Sequence, residues 1–565
     1  MQHVVLLAIT SILATTAIPP APNAAALQVK IDEAIRRGDA TFHISQDDYH
    51  FNAIPLLISN ASDLHITVAP GTTFWFETGA GVKISESHNV LIDGNDLTVD
   101  YDPPPFMQVT VVKATPEETI VTSDVGFLSP EVFWTTWHGN PKNEFIQGPQ
   151  WWDGSQDKDY PLVGSFFSSY NYNTQMTSLG NNTWSYTGVT PLGHTIQVGD
   201  KFTNVVRVGF TWFVHNSSKI TTNNVIINTA SFMAITEFDG QGGNVYNRMK
   251  VIRSQRKNGR ELPLVACNAD VFHSSGCQHG PTVINNEYSF AFDDYLNIHS
   301  RAQVNAGVLS SSPLPVSPLG LSYVDLLVVD PRMRKDAGLA DDGPYGVVET
   351  LTNLQPDFHL RMHNVSTLHA LGTFKIISFE KIAMSNTDLM DRAQTSLNTL
   401  NANAMYVPKF NAADATYHTT DGTVHSRVWK IRVEAKNSAI QLLNQTLIVN
   451  LLEWNNSNAV VRNNSFHSSI DGVRWKSSNG VFAGNTWTNP LSNTATGLEV
   501  TPLRGYLEGP MEIFNVTISG NSFVNCSSIS SCRKNLISIC TGMAHEHVPA
   551  WDICSGIVVK DNVWK

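Results

Sequence analysis

The chain has 565 residues, of which 42% are hydrophobic and 15% are charged, and its formal net charge is −12. This length is too great for one small core and predicts either a large domain with insertions or two to three domains. The negative net charge argues against a nucleic acid or an anionic membrane surface as a partner. The sequence does not indicate an oligomeric state.

The N-terminus predicts a secretory signal peptide over residues 1–24. A short polar start is followed by an apolar run from Val4 to about Ala17 and then by small residues suited to cleavage. The run is too short to span a membrane, and no later stretch reaches the ~18 uninterrupted apolar residues that a spanning helix needs. A buried N-terminal strand is the alternative, but the run lacks the alternating pattern of a strand. We therefore expect a secreted, extracellular protein without a membrane span.

Sequons and cysteines are consistent with the secretory pathway. Nine N-x-S/T sequons are candidate glycosylation sites: Asn60, Asn181, Asn216, Asn364, Asn444, Asn455, Asn463, Asn515 and Asn525. The six cysteines form two groups, of which the first is Cys267 and Cys277 and the second is Cys526, Cys532, Cys540 and Cys554. Proximity favours a disulfide within each group. We expect no zinc site, because no C-x-x-C pair occurs and the histidines are not at ligand spacing.

A short strand that ends in Asn, followed by one residue and then an aromatic residue, recurs along the chain. The copies are TVINNEY (282–288), AVVRNNSF (459–466), GVFAGNTW (480–487), NVTISGNSF (515–523) and GIVVKDNVW (556–564). A period of just over twenty residues with short strands is typical of a parallel β-helix, in which each coil stacks on the previous one. The main alternative, a β-sandwich with Asn-rich turns, does not explain the recurring ending.

The recurring asparagines predict how the coils stack. Asn464, Asn485, Asn521 and Asn562 are spaced by 21, 36 and 41 residues, which predicts one coil, one coil with a long loop, and about two coils. Asn tolerates a left-handed backbone and its amide can bond the Asn of the next coil, while the aromatic residue stacks inside. We therefore predict an all-β fold, a right-handed parallel β-helix with inserted small β-barrel-like domains.

The repeat also predicts the domain boundaries. An amphipathic helix at 31–39 lies near the start, and the segments 64–76, 89–100 and 224–232 look like the first coils. The regions of about 109–205 and 302–380 lack the repeat and are predicted to be inserted β domains. The coils then occupy three ranges: 25–108, 206–301 with the active site, and 381–565.

Three aspartates lie in the window 268–301, which begins NADVFHSSGC and ends DDYLNIHSR. If a coil takes just over twenty residues, Asp270 and Asp293 occupy nearly equivalent positions on successive coils, about 4.8 Å apart. Carboxylates that close cannot all ionise freely, so at least one pKa should rise into the range useful for proton transfer. Alternatively, one aspartate caps a turn and the others are solvated.

The adjacent pair Asp293 and Asp294 requires a special backbone. Consecutive residues of a regular strand point to opposite faces, and a charge in the core would cost several kcal/mol. We therefore expect a bend or bulge over 292–295 that turns both carboxylates into one groove.

This window resembles two families of β-helix glycoside hydrolases. N-A-D at 268–270 followed by Asp293 and Asp294 looks like the polygalacturonase pattern. The window is more similar to glycoside hydrolase family 110, the exo-acting α-1,3-galactosidases, with N-A-D-G-x-H-x-S-G-C and D-D-x-x-N-x-H motifs. DYDPPPFMQ (100–108) and EGP (508–510) also look like that family. Val271 replaces the usual glycine, and Ser300-Arg301 replaces the usual Gly-Thr.

The resemblance implies hydrolysis of terminal α-galactosides on an oligo- or polysaccharide by single displacement with inversion. By analogy with the polygalacturonase pattern, Asp293 is the acid and Asp270 with Asp294 the base pair, with carboxyls roughly 6.5 to 9.5 Å apart. The candidate substrate-binding residues are side chains expected beside the acids: His273, His299, Arg301, Glu237 and Glu508. The two histidines are expected either to bind sugar hydroxyls or to tune the acids.

Three other functions remain open at this stage. One is hydrolysis of pectin, as in the polygalacturonases. A polysaccharide lyase or epimerase would need Lys or Arg with calcium to neutralise a uronate, and Arg301 is the only lysine or arginine in the window 268–301. A non-catalytic carbohydrate-binding protein is favoured only if the carboxylates do not converge. We expect neither a metal ion nor a cofactor.

Overall fold

The computed structural model describes residues 21–77, 79–133, 150–152, 162–165, 176–187, 195–254, 261–311, 321–330, 351, 354–364, 370–402, 416–418, 424–468, 472–488, 497–502, 508–510, 512–524, 537–540 and 554–564. Most of the predicted signal peptide, together with Asn525, Cys526 and Cys532, lies outside these residues. Within them, no helix is both long enough and apolar enough to cross a membrane.

The protein is a parallel β-helix whose coils contribute strands to two long sheets, as predicted. Counted over the described residues, the first sheet has 18 strands. They are Thr41–Ile44, Asp48–Asn52, His65–Val68, Thr73–Phe76, Leu91–Tyr101, Thr221–Ile227, Val245–Asn247, Lys250–Val251, Thr282–Ile284, Glu287–Ser289, Val460–Arg462, Ser465–His467, Val481–Ala483, Thr486–Thr488, Thr517–Ser519, Ser522–Val524, Val558–Lys560 and Val563–Trp564.

The second sheet carries the site described below. Its parallel strands are Leu56–Ser59, Val82–Ser85, Phe210–His215, Met233–Phe238, Phe272–Ser275, Leu296–Ser311, Val473–Trp475, Leu498–Val500 and Ile537–Ile539. Glu508–Gly509 adds a short antiparallel strand at Ser300 and Arg301. Large apolar side chains such as Trp212, Tyr288 and Trp475 fill the space between the two sheets and are almost completely buried.

The coils continue across both insertions. Thr221–Ile227 pairs in parallel with Leu91–Tyr101, although the first insertion separates them in sequence. In the same way, Val460–Arg462 pairs with Thr282–Ile284 across the second insertion. The segments predicted to be the first coils therefore belong to the β-helix.

The predicted asparagine ladder is present at the turn between strands. Asn464 Nδ2 donates to Asn485 Oδ1 at 2.9 Å, and Asn485 Nδ2 donates to Asn521 Oδ1 at 3.1 Å. Asn521 Nδ2 donates to Asn562 Oδ1 at 2.8 Å. The prediction that 41 residues make two coils is wrong, because this bond and the direct pairing of Thr517–Ser519 with Val558–Lys560 join adjacent coils.

Aromatic residues follow the ladder inside the β-helix. The ring of Trp487 lies 4.9 Å from that of Phe466 and 4.7 Å from that of Phe523, measured between centroids. The second pair is stacked, with an angle of 14° between the rings. The recurring sequence therefore encodes two parallel rows, a polar one at the turn and an aromatic one in the core.

Replacing Asn485 by Ala should lower the free energy of unfolding by about 2 to 4 kcal/mol. The side chain is fully buried and accepts bonds from both the backbone and the amide of Asn464, so its loss leaves buried donors without that acceptor. Urea unfolding measures the change. Asn398→Ala, on the exposed face of a helix, is the control and should change stability by less than about 0.5 kcal/mol. Equal effects of the two substitutions would contradict a role of the ladder in stability.

The first insertion is an antiparallel sheet, of which seven strands fall within the described residues. They are Phe106–Ala114, Thr119–Ser123, Gln150–Trp152, Leu162–Ser165, Met176–Gly180, Thr183–Tyr186 and Lys201–Val205. These strands begin three residues before the predicted boundary at 109 and end at the predicted boundary of 205. The sheet has its own apolar core, in which Val109, Trp184 and Phe202 are buried.

The second insertion closes a six-stranded antiparallel barrel. Around the barrel the strands are Leu296–Ser311, Leu321–Val329, Val428–Lys436, Ala370–Lys381, His359–Asn364 and Leu447–Leu451, and the last pairs with the first. The predicted end of this domain at residue 380 is wrong, because two of the strands lie beyond it. Their alternating apolar residues predict strands but do not indicate which sheet they join.

The remaining elements lie at the ends of the β-helix and beside the barrel. Helix Pro22–Arg37 begins earlier than the predicted 31–39, includes the predicted cleavage boundary at 24, and buries Leu27 and Ile31 against the first coils. Two further helices lie beside the barrel, Thr387–Ala402 and Asn437–Leu443, and a 3-10 turn covers Leu452–Trp454. Two short strand pairs complete the described part, Thr416–His418 with Val424–Ser426 and Ile513–Phe514 with Cys554–Ser555.

Only one of the two expected disulfide groups contains a bridge among the described residues. Cys540 and Cys554 are bonded, with Cα atoms 6.5 Å apart. The predicted bridge between Cys267 and Cys277 is wrong, because both thiols are free and buried. They lie beyond opposite ends of the strand Phe272–Ser275, which at about 3.3 Å per residue keeps them too far apart for a disulfide.

The predicted glycosylation sites differ in accessibility. Asn60, Asn181, Asn444, Asn463 and Asn515 are exposed, whereas Asn216 and Asn364 are partly buried. Asn455 is only 8% exposed, where the chain returns from the barrel to the coils. Its side chain is therefore not available to a glycan in the folded protein.

Candidate active site

The three aspartates meet at the start of two neighbouring strands of the second sheet. Phe272 pairs with Leu296, an offset of 24 residues, so Asp270 is equivalent to Asp294 and not to Asp293. The predicted pairing of Asp270 with Asp293 is therefore off by one, because this coil is one residue longer than their separation. The backbone N–H of Val271 donates to the carbonyl of Asp294 at 2.9 Å and fixes this register.

The expected bend before the second strand is present. The backbone bends at Phe292 and Asp293, and the strand begins only at Leu296. As a result, both adjacent carboxyls approach Asp270, and one oxygen of each lies within 4.8 Å of an oxygen of the other two. The convergence of the three carboxyls that the sequence predicts is therefore present.

Two arginines balance the charge of the adjacent pair. Arg207 Nη2 lies 2.8 Å from Asp293 Oδ2, and Arg474 Nε lies 2.8 and 2.7 Å from the two oxygens of Asp294. Arg474 also binds Glu499 through Nη1 at 2.8 Å. Asp294 is almost fully buried, whereas the side chain of Asp293 is 26% exposed and is the most accessible of the three. Sequence reasoning missed both arginines, because they come from other coils and belong to no local motif.

Asp270 is the triad member that the surroundings favour in its protonated form. Burial raises the pKa of its carboxyl, and the negative charge of Asp293 raises it further. The hydrogen bond and charge of His273 and the charge of Arg207 act in the opposite direction without reversing the shift. A carboxyl whose pKa is raised by burial is suited to general acid catalysis.

The two predicted histidines lie in line with Asp270. His273 Nδ1 is 2.6 Å from Asp270 Oδ2, and His273 Nε2 is 2.9 Å from His299 Nε2. His299 Nδ1 is 2.7 Å from the carbonyl oxygen of Ser300. Because His299 is only 1% exposed and both of its ring nitrogens are engaged, binding of a sugar hydroxyl does not fit it, whereas tuning of an acid does. Burial lowers the pKa of His299 well below its usual value, although the charge of Glu508 opposes this.

Glu508 reaches the same region from the C-terminal part of the chain. It forms an ion pair with Lys476 and lies 3.9 Å from His299 Nε2. Burial of Glu508 opposes its ionisation, but Lys476 and the histidines outweigh this and lower the pKa of the carboxyl to about 2. Glu508 is thus a carboxylate held against a buried ammonium, which suits it to balance charge near the histidines.

Arg301 forms contacts on the two preceding coils. Its Nε donates to Ser275 Oγ at 3.0 Å, its Nη1 lies 3.4 Å from Asp239 Oδ2, and the guanidinium lies over the ring of Phe238. Its side chain is 11% exposed. Arg301, one of the departures from the family 110 pattern, is therefore fixed against the two preceding coils by an ion pair and an aromatic ring.

The expectation that Glu237 lines the groove is wrong. From its position on the strand Met233–Phe238 the side chain of Glu237 points inward, and it is fully buried inside the β-helix. The carboxyl accepts hydrogen bonds from Ser274 Oγ at 2.6 Å, Asn244 Nδ2 at 2.9 Å and Tyr246 OH at 3.0 Å. Burial raises its pKa above the usual 4.5, although these three hydrogen bonds oppose the shift.

Glu237→Gln should remove a decline of stability with rising pH. Because the folded pKa is above the unfolded value of 4.5, the stabilising contribution is full below pH 4.5 and is lost as the pH rises through the folded value. Glutamine has no titrating proton, so its free energy of unfolding should lack this decline. Urea unfolding at a series of pH values compares the two proteins, and identical pH profiles would contradict a buried proton at this position.

The triad also has the geometry of a possible metal site, since three carboxyl oxygens lie within 4.8 Å of one another. The donor set does not favour one, because Arg207 and Arg474 already supply positive charge to two of the three carboxyls. A cation would have to compete with both guanidinium groups.

No protein-family model and no curated protein matches the chain. Solved structures that match include a candidate glycosyl hydrolase from Parabacteroides merdae, at 8% identity over 49% of this chain and 84% of that one, with a TM-score of 0.25. The A-module of the Azotobacter vinelandii mannuronan C-5 epimerase AlgE6 also matches at 8% identity, over 89% and 82%, with a TM-score of 0.26. The Gp54 tailspike of Acinetobacter baumannii bacteriophage AP22, in complex with a capsular saccharide, matches at 9% identity over 91% and 63%, with a TM-score of 0.15. These values do not establish a shared function.

Proposed function

We propose that this protein is a secreted glycoside hydrolase that removes terminal α-galactose from an oligo- or polysaccharide. The observation that carries the proposal is the convergence of Asp270, Asp293 and Asp294 on one edge of the second sheet. Hydrolysis of a glycosidic bond needs one carboxyl that gives a proton and another that acts at the anomeric carbon or on water. A buried carboxyl of raised pKa beside two arginine-paired carboxyls provides groups in those two states.

The choice of sugar rests on the sequence motif. NADVFHSSGC and DDYLNIH match the family 110 pattern at the residues that form the cluster, and the EGP segment contributes Glu508 to the same region. Arg301, one of the departures from that pattern, bonds to Ser275 at the opposite end of the strand from the acids and lies over Phe238, whose ring contacts that of His273. Terminal α-galactosides are therefore the first substrates to test.

The surroundings favour Asp270 rather than Asp293 as the acid, which reverses the assignment by analogy. Asp270 is buried and its pKa is raised, whereas Asp293 is ion-paired and more accessible to water. In this assignment Asp270 protonates the glycosidic oxygen and Asp293 acts on water or on the anomeric carbon. Asp294, held by Arg474, orients the other two and contributes negative charge near the developing cation.

The stereochemical outcome depends on the spacing of the two reacting carboxyls. The resemblance implies inversion, which leaves room for a water between carboxyls that are roughly 6.5 to 9.5 Å apart. Retention needs the two carboxyls only roughly 5 to 5.5 Å apart, and the distance within 4.8 Å between single oxygens of the triad fits either course. The anomer released first, observed by proton NMR before mutarotation, distinguishes the two mechanisms.

A lyase or epimerase is less consistent with the site. That chemistry needs cations to neutralise the carboxylate of a uronate. Arg207, Arg474 and Lys476 do lie beside the cluster, but each already forms an ion pair with a carboxylate of the protein. Binding a uronate would require these pairs to break.

A substrate screen tests the proposal. The purified protein is incubated with α- and β-galactosides, with galacturonate polymers and with other uronate polymers, and released sugars are quantified. The expected result is galactose release from a terminal α-galactoside. Release of galacturonate would indicate polygalacturonase-like activity, and absorbance from an unsaturated product would indicate a lyase. Binding without any product would overturn the enzymatic proposal.

A further inference from the structure

A buried line of hydrogen-bonding groups continues from Asp270 away from the accessible side of the triad. It runs from the carboxyl to His273 at 2.6 Å, to His299 at 2.9 Å and to the Ser300 carbonyl at 2.7 Å. His273 is 7% exposed and His299 is 1% exposed, so water does not compete freely for these bonds. The order of donors and acceptors along this line is set by its last member.

A carbonyl oxygen only accepts hydrogen bonds, so the Ser300 carbonyl requires a proton on His299 Nδ1. Neutral His299 then has a bare Nε2, which accepts from His273 Nε2–H across 2.9 Å. The second ring nitrogen of neutral His273, Nδ1, is consequently bare and faces Asp270 Oδ2. At 2.6 Å these two atoms require one proton between them.

We propose that His299 is a positioning residue that, anchored by the Ser300 carbonyl, orients His273 so that one proton is held between His273 and Asp270. This inference rests on the proposed hydrolase function, in which that proton is the one given to the leaving group. His273 acts as the partner of the acid, and His299 acts through His273. Neither histidine is required to touch the sugar.

The proton balance is simple. The proton leaves Asp270 Oδ2 and bonds to the glycosidic oxygen, which keeps the electron pair of the breaking carbon–oxygen bond. A water oxygen bonds to the anomeric carbon, directly or after a covalent intermediate, and its proton passes to a carboxylate of the triad. Return of that proton to Asp270 restores the pair with His273, so no other reactant is consumed.

Charged groups around the histidines support a neutral His299. Glu508 lies 3.9 Å from it, but Lys476 balances this carboxylate, and Lys476 also donates to Asn297 beside His273 on the next coil. On the other side, Arg301 is paired with Asp239, and Glu237 lies inside the sheet beneath Ser274. In the described surroundings, opposite charges thus lie in pairs. No carboxylate without a paired cation lies beside His299 to favour its charged form.

Two substitutions at His299 separate positioning from packing. In His299→Gln the amide oxygen can still accept from His273 Nε2–H, whereas His299→Leu fills the space without an acceptor. We expect kcat to fall by about 10-fold or more in the leucine variant and by clearly less in the glutamine variant, with KM nearly unchanged in both. His279→Gln, at an exposed histidine on a nearby turn, is the control and should match the wild type. Equal losses in the glutamine and leucine variants would overturn the proposal.

A second measurement does not depend on activity. Long-range proton–nitrogen NMR of the protein labelled at histidine nitrogens reports which ring nitrogen carries a proton, and the spectra of the two variants identify the His299 signals. The expected result is a proton on Nδ1 and a bare Nε2. A bare Nδ1 would overturn the inference even if the protein is a hydrolase. If no substrate is cleaved but this tautomer is found, the proposed function fails while the hydrogen-bond order stands.

Discussion

Asp270→Asn should lower kcat on an unactivated α-galactoside by about 10²- to 10⁴-fold, because the carboxamide has no acidic proton to give to the leaving oxygen. The same variant should keep most of its activity on an aryl galactoside whose leaving group departs as a stable anion and needs no proton. The raised pKa of Asp270 and its 2.6 Å contact with His273 are the reasons for this assignment. Steady-state kinetics with the two substrates measure the difference.

Asp293→Asn is the matched comparison for that experiment. If Asp293 acts on water or on the anomeric carbon, its loss should lower kcat on both substrates, since neither leaving group replaces that role. If Asp293→Asn is active on the aryl galactoside but not on the unactivated α-galactoside, then Asp293 is the acid, as the polygalacturonase pattern implies. Circular dichroism of both variants should match the wild type, because the carboxamide has the same shape as the carboxyl.

Arg474→Met should lower the free energy of unfolding by about 3 kcal/mol, near the lower end of the range for breaking a buried ion pair because the arginine is partly exposed. The guanidinium binds both oxygens of Asp294 and also Glu499, whose side chains are 4% and 9% exposed. Without Arg474, two nearly buried carboxylates lie close together and lose their shared cation. Urea unfolding at neutral pH measures the loss.

Arg462→Met is the control for that substitution. Arg462 lies on a short strand of the first sheet and is exposed, so its replacement should change stability by less than about 0.5 kcal/mol. An equally small change in the free energy of unfolding for Arg474→Met would show that the carboxylates of Asp294 and Glu499 find other partners. It would contradict a role of Arg474 in stabilising the site.

The β-helix could be predicted from the sequence because its signal is local and repeated. Each repeat is a strand that ends in Asn and is followed by an aromatic residue. This pattern predicts the turn, the asparagine ladder and the residue in the core together, as Asn485 and Trp487 illustrate. The bend before Leu296 could also be predicted, because adjacent aspartates cannot share one face of a regular strand. The barrel strand Val428–Lys436 could not be assigned, because its alternation fits any half-buried sheet.

The site was only partly predictable, for two physical reasons. A period of just over twenty residues does not fix the register to one residue, so Asp293 was paired with Asp270 where the structure pairs Asp294. Contacts between distant coils leave no local pattern, so Arg207 and Arg474 were missed. Side chains along a strand alternate between the core and the groove, so an error of one residue exchanges the two. For this reason the sequence predicts Glu237 in the groove, whereas its side chain lies in the core.

The central claim is that the aspartate triad hydrolyses a glycosidic bond. Hydrolysis in water enriched in oxygen-18, followed by mass spectrometry of the products, tests it most directly, because hydrolysis places a solvent oxygen at the anomeric carbon in either stereochemical course. The account predicts one oxygen-18 atom in each galactose released by the wild-type protein and none from Asp270→Asn on the same unactivated substrate over the same time. An unsaturated, unlabelled product, or equal labelled product from Asp270→Asn, would contradict it.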